Sequence, residues 1–150
     1  MITITMYGLD QFVVGNLSRE LTPLVAKLYE VSEDEVSFIA PQAMVFHKGT
    51  EQTSWNILIQ VNAPKKVSVL QDQMAELMLH GIGEVAIHVA VEFTYYLQDD
   101  RYTKINPSYP RFISDENLVG IDDEYPEDIE EGEEDDEIYT GDIFAGIRDK

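Results

Sequence analysis

Ile2, Ile4 and Met6 alternate with Thr3, Thr5 and Tyr7. This period of two, rich in β-branched residues, predicts a strand. Gly8-Leu9-Asp10 breaks the alternation. From Ser18, read as an N-cap with Glu20 in the first turn, Leu21, Leu24, Val25 and Leu28 recur at helical spacing and predict an amphipathic helix ending near Tyr29. Ser32 to Glu35 is polar and reads as a connector. Val36 to Ala40 predicts a second strand, stopped by Pro41, and Ala43 to His47 extends or bends it before a turn at Lys48-Gly49-Thr50-Glu51. Trp55, Ile57, Ile59 and Val61 alternate with Asn56, Leu58 and Gln60 to give a third strand, ended at Pro64. Val67, Leu70, Met74, Leu77 and Met78 predict a second helix, with Gly81 as its left-handed C-terminal residue. Val85, Ile87, Val89, Val91 and Phe93 form one face of a fourth strand.

The order is β-α-β-β-α-β. Each helix is long enough to carry a parallel crossover, so two β-α-β units form a four-stranded sheet with both helices on one face, an α/β (α+β) arrangement. In its simplest form this is a ferredoxin-like sandwich, the fold of many regulatory modules. The other sheet face carries Thr3, Thr5, Asn56, Leu58, Gln60, Ala86, His88 and Ala90. It is small and mixed rather than charged, which points to burial against another copy of the chain.

Charge separates the chain into two parts. Of the net −19, residues 1–114 hold 13 acidic and 8 Lys/Arg residues, and residues 115–150 hold 16 and 2. The expected division is a folded domain over 1–112 and an acidic extension over 113–150. Such a field argues against nucleic-acid binding, which needs cations on phosphate. Without Cys there are no disulfides or thiolate metal sites. No apolar run suits a membrane span, and the first residues lack a signal-peptide pattern, so the expected location is cytoplasmic.

Candidate chemistry is sparse. His47 and Lys48 share the hairpin turn and read either as an anion-binding pair or as a solvated tip. His88 and Glu92 lie roughly 13 Å apart on one strand face, too far to hold one ion together. His80 complements a helix C-terminus. Tyr95, Tyr96, Tyr102, Tyr109 and Phe112, with Arg101, Lys104 and Arg111 between them, make an aromatic exit from the domain. The twelve acids between Asp122 and Glu137 do not follow an EF-hand pattern and read as a repulsive linker. Neither a metal nor a cofactor is expected. Beyond the acids, Ile138, Tyr139, Ile143, Phe144 and Ile147 are apolar, and suit docking on the domain, on a sister subunit or on a protein partner.

The element order, the Gly49 turn after Met44-Val45-Phe46, and the last strand running into Tyr95-Tyr96-Leu97 resemble the tautomerase superfamily, which includes macrophage migration inhibitory factor. The nearest likeness is to an uncharacterised bacterial branch. The resemblance spans about residues 1–105 and implies a trimer whose sheets enclose a central barrel, with the helices outside. It also implies an N-terminal proline whose secondary amine is the catalytic base. Here the matching position is Ile2, a bulky residue that hinders removal of Met1, so the free amine belongs to Met1. A lysine that follows the first helix in some members is replaced near Val31 and Ser32. No catalytic residue is therefore expected, Met1 being the one candidate, and Ile2, His47, Lys48 and Tyr96 form the candidate ligand-binding set. The leading expectation is a homotrimer with a structural, ligand-binding or partner-binding role. The alternatives are a keto-enol tautomerase that uses the Met1 amine, and a ferredoxin-like regulatory module.

Overall fold

The computed structural model of the chain describes residues 1–114. The apolar terminal segment and the acidic run of the extension lie outside those residues. Six strands and two helices follow in the order β1 (Ile2–Tyr7), α1 (Gln11–Tyr29), β2 (Val36–Ile39), β3 (Phe46–His47), β4 (Thr50–Glu51), β5 (Asn56–Pro64), α2 (Gln71–Ile82) and β6 (His88–Tyr96), with short 3₁₀ turns before β2, before α2 and after β6. The main sheet has the order β2-β1-β5-β6, while β3 and β4 form a separate hairpin. β1–α1–β2 and β5–α2–β6 are the two parallel crossover units, and β1 runs antiparallel to β5 where they meet.

The core lies between the helices and one face of the sheet. Ile2, Ile4 and Met6 of β1 and Ile57, Ile59, Val61 and Ala63 of β5 point into it, against Val14, Leu17, Leu21 and Val25 of α1 and Met74, Met78 and Ile82 of α2. Strand alternation therefore places the helix-facing side as the apolar pattern predicts. On β6 the same phase holds, with Val89, Val91, Phe93 and Tyr95 packed against the core. The opposite face, with Thr3, Thr5, Leu58 and Gln60 half-buried and His88 and Ala90 exposed, is covered by neither helix.

Several boundaries differ from the sequence expectation, each for a local reason. α1 begins two turns before Ser18. Asp10 is its cap, accepting from the Phe12 N–H at 2.8 Å, and Ser18 lies inside the helix with its hydroxyl donating to the Gly15 carbonyl. Gly15 and the β-branched pair Val13-Val14 disguise those turns, and Leu24, expected in the apolar stripe, is half-exposed because Val14 and Leu17 set the stripe's true phase. Gly81 does not end α2. It lies within the helix because a Cβ there would come 2.6 Å from Leu21 Cδ2, and the left-handed position falls on Gly83 (φ +52°). β6 starts at His88, three residues later than expected, leaving Val85 and Ile87 exposed and Ala86 buried in the core rather than on the open face. β5 begins after Trp55, whose ring meets the His88 ring edge-on.

Candidate functional site

Strand register gathers the first residue of the chain with groups distant in sequence. β2 pairs with β1 through Ile2↔Val36, so Glu35, just before β2, falls beside Met1. β1 and β5 pair through Thr3↔Asn62, which brings Met1 toward Pro64, and Pro64 pairs in turn with Tyr96 at the end of β6. A cavity of about 360 Å³ opens there, with Met1, Ile2, Glu35, Lys66, Tyr96 and Arg101 among its walls. Arg111 reaches the same cavity from the exit segment.

Every polar atom of Met1 has a partner. Its amino terminus lies 2.6 Å from Glu35 Oε2. Its carbonyl accepts from the Tyr96 hydroxyl. Its thioether sulfur accepts from Arg101 Nη2 at 2.9 Å and from Arg111 Nη2 at 3.0 Å. Arg111 Nη1 also donates to Glu35 Oε1 at 3.1 Å, so the carboxylate bridges two cations. Hydrogen bonding from the amino terminus, then its charge and Arg111, hold the Glu35 carboxyl below its ordinary range against the opposing effect of burial. The Arg101 guanidinium lies over the Tyr96 ring, 5.4 Å from its centroid.

Ile2 contributes little surface to this cavity. It is 1% exposed and its side chain belongs to the core. Of the residues singled out from the sequence, Met1, Ile2 and Tyr96 meet at this end of the sheet. His47 and Lys48 do not join them within one chain. Their hairpin stands beyond the far end of β1, where Val45 packs against Gly8, roughly 20 Å away along a six-residue strand. Glu35, Lys66, Arg101 and Arg111 carry no local sequence signal that marks them as site residues. Glu35 lies in a stretch that reads as a connector, and the two arginines read as charges interleaved with aromatics. The available signal was topological, since a parallel β1–β2 pair must carry the residue before β2 to the start of β1. Among the described residues no cluster of three or more His, Asp or Glu side chains could hold a metal ion, and no helix is long and apolar enough to cross a membrane.

No family model matches the chain, and no curated protein matches it. Solved structures do. A domain of unknown function from Sebaldella termitidis superposes with a TM-score of 0.63 at 19% identity, over 69% of this chain and 95% of that one. A macrophage migration inhibitory factor-like protein from Entamoeba histolytica gives 0.54 at 8% identity, over 69% and 93%. The fold is that of the tautomerase superfamily. A member of the cis-3-chloroacrylic acid dehalogenase family also shares this tautomerase fold, with a TM-score of 0.54 at 13% identity, over 67% of this chain and 79% of that one.

Proposed function

We propose that the chain is a homotrimeric tautomerase-fold protein that binds a small ligand at the Met1 cavity and does not carry out proline-type tautomerase chemistry. The observation that carries this reading is Ile2, the residue standing where the resembled enzymes have their N-terminal proline. Its backbone is paired into β1 and its side chain is in the core. The remaining amine, on Met1, is in an ion pair with Glu35, and a protonated amine has no lone pair with which to abstract a proton. The cavity itself has the size of a small-molecule site and an apolar wall formed by Val31, Pro64 and Ile105.

The uncovered sheet face supports self-association. Neither α1 nor α2 lies over Leu58 and Ala90, and among the described residues both outer strands, β2 and β6, are sheet edges able to pair with another chain. The acidic extension, in this reading, gives solubility and contacts a protein partner, and the chain acts in the cytoplasm. Light scattering tests the assembly: about three times the 17.1 kDa chain mass is expected, and a single-chain mass would overturn it. Mass spectrometry of the purified N-terminus tests the site, with retained, unblocked Met1 expected and a chain starting at Ile2 the contrary result.

A second reading has one observation in its favour: Met1, which carries the free amine, lines the cavity. In that reading, displacement of Glu35 frees the amine as the base of a keto-enol tautomerase.

A further inference from the structure

The charges lining the Met1 cavity do not balance. Four cationic groups line it, the Met1 amino terminus, Lys66, Arg101 and Arg111, against one carboxylate, Glu35. The excess of three positive charges sits within a chain of net charge −19. Glu35 spends one oxygen on the amino terminus and the other on Arg111, so each of these two cations has a carboxylate contact. Arg101 and Lys66 are left over. Among the described residues neither meets a carboxylate, and the contacts of Arg101 are the Met1 sulfur and the Tyr96 ring face. A thioether is a weak acceptor, so most of the Arg101 donor fork is unused.

We propose that the cavity takes a small phosphate monoester, its dianionic head held by Arg101 and Lys66 and its organic body lying on Val31, Pro64 and Ile105. The proposal rests on the ligand-binding reading above and names the ligand class. Two uncommitted cations on one partly enclosed volume call for two negative charges on one head, since a monocarboxylate leaves one cation unneutralised. Arginine offers a bidentate fork to phosphate and lysine a mobile point charge, a combination suited to a tetrahedral oxyanion. Thr103 and Gln98, on the same cavity wall, add a hydroxyl and an amide as neutral donors. The volume of about 360 Å³ holds a small organic molecule and not a folded partner.

Phenyl phosphate and benzoate share a ring and differ in head charge, so calorimetric titration of the full-length protein with both, near neutral pH and at fixed ionic strength, is the test. Phenyl phosphate is expected to bind at least about tenfold tighter, and Arg101→Gln and Lys66→Gln each to weaken it about tenfold, the worth of one charge-assisted contact. Lys66 is exposed, so Lys66→Gln keeps the test valid should Arg101→Gln fold poorly. Equal affinity for the two probes, or phenyl phosphate binding that neither substitution alters, would overturn the proposal. Benzoate binding alone, lost in Arg101→Gln, would remove the phosphate assignment and leave the ligand-binding reading standing. Binding of neither probe would count against both.

Discussion

Glu35 Oε2 lies 2.6 Å from the amino terminus of Met1, joining the residue before β2 to the residue before β1. The pair has a definite pH signature. The folded-state pKa of Glu35 is lowered, so its contribution to stability is present above the unfolded value, about 4.5, and is lost as pH falls through the folded value. The side chain is 38% exposed, which keeps the effect small, within about 1 kcal/mol for a partly solvated pair. Thermal melts of the protein and of Glu35→Gln should therefore differ near neutral pH and converge below the ordinary glutamate range. An offset that persists unchanged into acid would mean that the carboxylate charge contributes nothing.

Two tyrosines should respond in opposite ways to loss of the hydroxyl. Tyr96 donates to the Met1 carbonyl, and Tyr96→Phe is expected to cost about 1 kcal/mol in chemical denaturation. Tyr29 is buried with no partner for its hydroxyl among the described residues, and burial raises its pKa. Tyr29→Phe removes an unpaired polar group from the core and should be neutral or stabilising. A loss at Tyr29 as large as that at Tyr96 would show that its hydroxyl has a partner.

The α1–α2 contact is tight at Gly81, where a Cβ would come 2.6 Å from Leu21 Cδ2, and Leu21 is buried. Alanine there gains up to about 1 kcal/mol of helix propensity, but overpacking costs about 1–3 kcal/mol. Gly81→Ala is expected to lower stability on balance. Leu21→Ala makes room, so the double variant should lose less than the sum of the two single losses; strict additivity would contradict the contact.

Leu58 is half-buried on the sheet face that neither α1 nor α2 covers. If that face is the subunit interface, Leu58→Lys places a charge in it and should reduce the light-scattering mass toward one chain, with the circular dichroism spectrum retained. An unchanged mass would locate the assembly surface elsewhere, or show that there is none.

Much of this architecture was legible from periodicity, because alternation on β1 and β5 is strict and both helices carry an apolar stripe. The boundaries that depart from periodicity lie where one residue type permits two conformations. Ser18 can cap a helix or bond back within one, and only Asp10 at the true start decides between them. Gly81 can end a helix or admit a neighbour, and Leu21, distant in sequence, makes it the latter. The site was half legible. Met1, Ile2 and Tyr96 emerged through the resemblance, while Glu35, Lys66, Arg101 and Arg111 look like ordinary surface charges until register and the returning exit segment converge them. His47 and Lys48 are neighbours in sequence, and the chain carries that pair to the opposite end of β1.

The withdrawal of the N-terminal base by Ile2 is tested most directly by enol–keto conversion of phenylpyruvate, followed with the amino terminus free and again after acylation. The account predicts no rate above the uncatalysed one in either state. Turnover that is present with the free amine and abolished by acylation would contradict it and make Met1 a catalytic residue.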